Sequence, residues 1–183
     1  MKTNKGQRTI FLDRDGTLIE EVNFLHRIEE LRFFSYTDEA IKLLKRNGFR
    51  VVVVTNQSGI GRGIYTVEEM HAIHAQIQKD LTEKIDGFYF CPHLPDAGCA
   101  CRKPNIGMIE QAKDDFEIDF SDSWVIGDKV LDIELGFNAG IKSALVRTGY
   151  GQKSVAALKR KPDLIVENLL EAALQIINRP SEN

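Results

Sequence analysis

The stretch Arg50-Val51-Val52-Val53-Val54-Thr55-Asn56-Gln57-Ser58-Gly59-Ile60-Gly61-Arg62-Gly63, RVVVVTNQSGIGRG, decides the fold. Four consecutive β-branched apolar residues leave no polar face. A strand over Arg50 to Thr55 must therefore be covered by helices on both sides, the condition of a parallel sheet. The chain around it keeps the same rhythm. Strands are expected at Thr9 to Leu12, Phe88 to Cys91, Trp124 to Gly127, Ser143 to Arg147 and Asp163 to Val166. Helices are expected at 38–47, with Gly48 as the stop, at 66 to about 84, and at 107–116, 131–139 and 168–177. Thr66 and Glu69 have capping-box spacing, and Met70, Ile73, Ile77 and Leu81 recur at helical intervals. The fold class is α/β: a Rossmann-like open parallel sheet of five to six strands with helices on both faces. With 183 residues, of which 43% are apolar, residues 1–183 form a single domain.

Composition removes several functions. Lysine and arginine number 24 against 27 acids, a net charge of −3, and no long run of one sign occurs. That balance argues against nucleic acid and anionic membrane, and for a small-molecule substrate. Lys159-Arg160-Lys161-Pro162 reads as a solvated basic turn. The longest purely apolar run, Val51 to Val54, is far too short to span a bilayer. Lys2, Lys5 and Arg8 precede only Ile10 to Leu12, too little for a secretory signal, so the cytoplasm is the expected compartment. Cys91, Cys99 and Cys101 are an odd set of thiols within eleven residues, which favours a metal over disulfides.

Polar residues fall where strands end, and in an open parallel sheet that edge lines the ligand crevice. LDRDGTL, residues 12–18, places Asp13 and Asp15 two positions apart, so that one carboxylate can attack while the other moves protons. Asp-x-Asp-Gly also opens calcium loops and ordinary turns. In TNQSG, Thr55, Asn56, Gln57 and Ser58 can donate hydrogen bonds to phosphoryl oxygens. The glycines at 59, 61 and 63 miss the dinucleotide-binding spacing, and a ligand-free flexible loop is the plain alternative. CPHLPDAGCACRKP, residues 91–104, spaces Cys91, His93, Cys99 and Cys101 as C-x-H-x5-C-x-C, a closed structural zinc shell that staples a loop and leaves no catalytic position. Three buried thiols and an incidental histidine are the alternative. Arg102 and Lys103 follow as cations suited to a dianionic phosphate. His71 and His74 read as surface histidines. In WVIGDKVLD, Asp128 and Asp132 join Asp13 in an acidic pocket whose repulsion calls for a hard divalent cation, Mg2+. A lone helix cap is the alternative for Asp128.

In this order the four segments resemble the haloacid dehalogenase (HAD) superfamily over about residues 9 to 150. Within it they are similar to the small zinc-containing histidinol-phosphatase and D-glycero-D-manno-heptose 1,7-bisphosphate 7-phosphatase group. The resemblance implies no large cap domain, a zinc loop at 91–101 inserted in a single HAD-like phosphatase domain, Asp13 as nucleophile, and Asp15 as general acid and base. Thr55 and Lys103 would hold the phosphoryl group. Mg2+ would be bound by the Asp13 and Asp128 side chains and the Asp15 backbone carbonyl, with Asp132 assisting from behind. Glu21, Val22, Asn23, Phe24, Arg102 and Lys129 would touch the sugar. TNQSGIGRG and Lys129 resemble the heptose enzymes, whereas residues 21–24 depart from their usual acidic-Gly-Tyr pattern. The expected activity is Mg2+-dependent removal of the 7-phosphate from a heptose 1,7-bisphosphate through an aspartyl-phosphate, by a cytoplasmic monomer. Histidinol-phosphate phosphatase and a non-catalytic phosphosugar-binding module are the alternatives.

Overall fold

A computed structural model describes residues 6–179. Lys2 and Lys5, and both ends of the expected 1–183 domain, lie outside them. Thirteen elements follow in chain order. They are β1 (Thr9–Leu12), α1 (Thr37–Arg46), β2 (Arg50–Asn56), α2 (Ser58–Gly61), α3 (Val67–Asp80), β3 (Gly87–Cys91), α4 (Gly107–Asp115), β4 (Trp124–Gly127), α5 (Val130–Ala139), β5 (Lys142–Val146), α6 (Gly151–Ala157), β6 (Leu164–Val166) and α7 (Leu169–Ile177). The six strands make one parallel sheet in the order β3-β2-β1-β4-β5-β6.

The valine run behaves as its composition requires. Val51 and Val53 pack with Ile10, Leu12, Ile41, Leu44, Ile73 and Ile77 on one face of the sheet. Val52 and Val54 pack with Phe11, Met108, Ile109, Val125 and Leu135 on the other. All four are fully buried, and each contributes roughly 1.5 kcal/mol or more of transfer free energy. α3 begins at a capping box: Glu69 N–H donates to Thr66 Oγ1 and Thr66 N–H to Glu69 Oε2. It ends at Asp80, four residues before the expected end, because Leu81 turns extended at φ −76°, ψ 139°. The short helices α2 and α6 were not expected; each has too few residues to show a helical period.

The chain winds from β1 outward to β3, then returns to β4 beside β1 and winds the other way. This reversal creates a crevice at the carboxyl ends of β1 and β4. The Asp13 N–H donates to Ile126 O at 2.9 Å, so the residues leaving these two strands start as neighbours. Among the described residues nothing forms a cap: residues 13–36 between β1 and α1 hold one three-residue 3-10 turn, and no helix is long and apolar enough to cross a membrane.

Candidate active site and structural metal loop

Asp13 leaves β1 and Asp128 leaves β4, and Asp132 stands on the first turn of α5; all three are buried. One carboxylate oxygen from each lies within 4.8 Å of the others. Lys103 reaches into the group from the zinc loop. Its ammonium donates to Asp13 Oδ1 at 2.8 Å, Asp132 Oδ1 at 2.6 Å and the Val54 carbonyl at 2.9 Å, which uses its three donors. Lys129 approaches Asp13 at 3.7 Å, Asp128 at 3.5 Å and Glu21 at 3.2 Å. Gly16 closes the turn at φ +84°, and any side chain there would collide with Asp128 Oδ2.

The electrostatics are uneven. Burial opposes the charge on Asp13, but Lys103 and Lys129 hold its carboxyl below the usual value. Burial and the neighbouring Asp13 charge push Asp128 up to about 8. Burial likewise raises Asp132 despite its contact with Lys103. Asp128 Oδ2 accepts the Tyr150 N–H at 2.7 Å, whereas buried Oδ1 has no hydrogen-bond partner. A buried carboxylate oxygen that accepts no hydrogen bond, with only the Lys129 ammonium at 3.5 Å and two more acids within coordination reach, suits a hard divalent cation, which reverses the local repulsion.

Asp15 lines a crevice of about 110 Å³ with Arg14, Glu21 to Leu25, Asn56 to Ser58, Tyr65 and Lys129. Larger hollows of about 460 and 480 Å³, around Phe137 and Arg160 and around Phe116, are lined by none of Asp13, Asp15, Asp128 and Asp132, so the chemistry belongs to the smaller crevice, where Asp15 lies. Thr55 Oγ1 accepts from Gln57 Nε2 at 2.8 Å. Asn56 grips the backbone of Lys103, accepting its N–H at 3.1 Å and donating to its carbonyl at 3.4 Å. Phe24 takes φ +54°. Its carbonyl meets His26 Nδ1 at 2.8 Å, and the His26 ring stacks on Tyr65 at 5.7 Å, pinning residues 21–26 to the TNQSG loop. Arg102 lies apart from this crevice. It donates to the His93 carbonyl at 3.2 Å and lines an adjoining groove with Pro95, Gly98, Lys103 and Leu131.

The zinc-loop donors converge. Cys91 Sγ lies 3.5 Å from His93 Nδ1 and 3.6 Å from Cys99 Sγ, while Cys101 Sγ lies 3.2 Å from His93 Nδ1 and 3.5 Å from Cys99 Sγ. A tetrahedral ion with Zn–S of about 2.3 Å has edges of about 3.7 Å, so the donors surround a zinc-sized centre. The three thiols share hydrogen bonds unequally: against burial, those from Cys101 and Cys91 bring Cys99 down to about 7, while burial pushes Cys91 up and Cys101 up to about 12. The loop is tied to the crevice: Gln57 N–H donates to the Cys91 carbonyl at 2.7 Å and Gly61 N–H to the Pro92 carbonyl at 2.9 Å.

One sequence expectation is corrected here. His74 is not a surface histidine: it is 4% exposed, stacks on Phe88 at 4.5 Å and faces Arg14 Nη1 at 3.4 Å. Burial and the Arg14 charge push its pKa down to about 3, so the ring is neutral. Sequence reasoning also passed over Arg14 and Tyr65, which are buried beside Asp15 and Gln57. An arginine flanked by the two motif acids was the available signal for the first; nothing local marked the second.

Comparison with known proteins agrees with this geometry. A family model described as HAD-hydrolase-like matches residues 100–172, and one described as polynucleotide kinase 3 phosphatase matches residues 8–133. The chain is 39% identical over 150 residues to a probable D-glycero-D-manno-heptose-1,7-bisphosphate 7-phosphatase of Thermoplasma acidophilum, covering 80% of this chain and 94% of that protein. It is 37% identical over 178 residues to the D-glycero-beta-D-manno-heptose-1,7-bisphosphate 7-phosphatase of Haemophilus ducreyi, covering 91% and 96%. The crystal structure of D,D-heptose 1,7-bisphosphate phosphatase from B. bronchiseptica, complexed with magnesium and phosphate, superposes with a TM-score of 0.86 at 31% identity, covering 93% of this chain and 98% of that one. The capless sheet, the acid cluster and these likenesses over most of the sequence place the chain among the HAD-like hydrolases, where it belongs to the D-glycero-D-manno-heptose-1,7-bisphosphate 7-phosphatase family.

Proposed function

We propose that this chain is a Mg2+-dependent phosphatase that removes the 7-phosphate of D-glycero-D-manno-heptose 1,7-bisphosphate, on the family evidence and the chemistry of its crevice. The observation that carries the reading is the buried triad of Asp13, Asp128 and Asp132 with the Lys103 ammonium between two of its members. Asp13, Asp128 and the Asp15 carbonyl would hold Mg2+, with Asp132 behind them. When bound, that ion offsets carboxylate and phosphoryl charge.

The chain's own residues then divide the work. Asp13, held ionised by Lys103, attacks phosphorus; the bond to the sugar oxygen breaks, and that oxygen leaves with its electron pair and takes a proton from Asp15. Water next attacks the aspartyl-phosphate, gives a proton to Asp15, and the Asp13–phosphorus bond breaks to release phosphate. Thr55 and Lys103 stabilise charge on the transferring group. Asn56 acts by holding the Lys103 backbone. Glu21, Val22, Asn23, Phe24, Ser58 and Lys129 face the sugar from the crevice, and Arg102 reaches it from the adjoining groove that Lys103 also lines.

The Cys91, His93, Cys99 and Cys101 shell would hold zinc with no position open to substrate, so that ion shapes the loop that delivers Lys103. We further read residues 1–183 as one domain with the zinc loop inserted, working as a monomer, because one chain supplies the whole crevice. A cytoplasmic setting fits thiols that carry no disulfide.

The test is phosphate release from heptose 1,7-bisphosphate, histidinol phosphate and a nonspecific aryl phosphate, with Mg2+ and after EDTA. The reading expects the heptose substrate to lead in kcat/KM and activity to return with Mg2+. A lead for histidinol phosphate, or turnover unaffected by EDTA, contradicts it.

A further inference from the structure

Gln57 reads from sequence as a substrate contact, but its amide is already fully used. An amide side chain has two acceptor positions and two donors. Gln57 Oε1 accepts from Arg14 Nη2 at 3.0 Å and from the Tyr65 hydroxyl at 2.6 Å. Its Nε2 donates to Asp15 Oδ2 and to Thr55 Oγ1, both at 2.8 Å. Gln57 is 4% exposed and Arg14 is 1% exposed, so water does not compete for these bonds. Two fixed donors on one end leave the amide a single orientation, with its N–H groups directed at Asp15 and Thr55.

Arg14 completes the arrangement. Its Nε donates to Asp15 Oδ2 and its Nη2 to Asp15 Oδ1, each at 3.0 Å, in a planar fork. Asp15 Oδ2 thereby accepts two hydrogen bonds and Oδ1 one, so Oδ1 is the oxygen left to carry a proton. The Tyr65 ring that anchors Gln57 lies against Gly59, where any Cβ would collide with its edge.

We propose that Arg14 and Gln57 are positioning residues that turn Asp15 so that Oδ1 alone faces the crevice, and that tie it to Thr55. The inference rests on the reading of Asp15 as general acid and base. It explains the buried guanidinium between two motif acids and removes Gln57 from the substrate-binding set.

The experiment compares two substrates on the zinc-loaded, Mg2+-supplied full chain. Departure of a sugar alkoxide needs the proton from Asp15; departure of 2,4-dinitrophenolate does not. Gln57→Leu is expected to lower kcat on heptose 1,7-bisphosphate by about 10²-fold, the scale of general acid catalysis. Tyr65→Phe removes one hydrogen bond from Gln57 and should lower it by about fivefold, the worth of one net bond. In Tyr65→Phe, which leaves the Gln57 bonds to Asp15 and Thr55 in place, the rate constant of the first-turnover dinitrophenolate burst should stay within about twofold of the wild type, because that step needs no proton donor; in Gln57→Leu, which also frees Thr55, it should fall by no more than about tenfold, well short of the loss on the heptose substrate. Equal losses on both substrates, or a raised KM with unchanged kcat, overturn the proposal. Tyr65→Phe keeps the test decisive if Gln57→Leu does not fold. Asp15→Asn serves as the reference. If it also fails to separate the two substrates, the general-acid reading falls; if it separates them and Gln57→Leu does not, the positioning role alone is wrong.

Discussion

The zinc loop and the acid crevice lie next to each other and are built on opposite terms. In the loop, four contacts of 3.2 to 3.6 Å link three sulfurs and one imidazole nitrogen into a closed ring, with all four donors within 4.8 Å of one another. In the crevice, three acids are buried together, Asp128 Oδ1 accepts no hydrogen bond and has the Lys129 ammonium 3.5 Å away, and the Asp128 carboxyl is driven up to about 8 by burial and the neighbouring Asp13 charge. The loop is chemistry serving the fold. The crevice is a stretch of fold held in an unfavourable state for chemistry. Lys103 joins them, for it leaves the zinc loop and ends between Asp13 and Asp132.

The contrast can be broken at graded strengths. The largest effect is expected from Asp13→Asn, which should cut phosphate release by on the order of 10⁴-fold while zinc content and the far-UV spectrum stay as in the wild type. Substantial residual turnover would remove the covalent route. Lys103→Met comes next. It strands two buried carboxylates, a change that typically costs about 3–5 kcal/mol, and added Mg2+ should recover part of the lost Tm. No Tm change without metal would show that the ammonium does not hold the acids together.

Cys101→Ser acts on the other region. Losing the staple should cost about 3 kcal/mol and lower Tm by about 10 °C. Turnover should fall with it, since Lys103 loses its rigid mount; an unaltered kcat would separate the two regions functionally. The smallest effect is expected from Asp128→Asn, which keeps the acceptor for the Tyr150 N–H and replaces a carboxyl whose ionisation burial and Asp13 oppose. The metal-free protein should gain about 2–4 °C in Tm, a relief of about 1 kcal/mol, and lose its thermal shift with Mg2+. A lower Tm would mean that the crowding is not strain.

The same contrast explains what the sequence made legible. Four valines in a row state that both faces of a strand are covered, and the structure divides them between two cores. Acids immediately after strands place Asp13 and Asp128 at the sheet edge without further information. The spacing of the zinc loop is local, so its four donors can be read in one glance. His74 was misread because it sits beside the Met70, Ile73, Ile77 stripe, and its burial depends on Phe88 and Arg14 from other segments. The partners of Gln57 have the same long-range character: its amide bonds reach residues 14, 15, 55 and 65, and no local pattern announces them. Short helices such as α6 escape because seven residues carry under two turns of pattern.

The most direct measurement is chemical trapping of the first intermediate. Zinc-loaded enzyme with Mg2+ and heptose 1,7-bisphosphate is quenched within one turnover, reduced with borohydride and mapped by mass spectrometry. Conversion of Asp13 to homoserine, absent without substrate, is the result expected if burial and Lys103 prepare that carboxylate to attack. Conversion of a different acid, or none while phosphate is being released, would contradict the account.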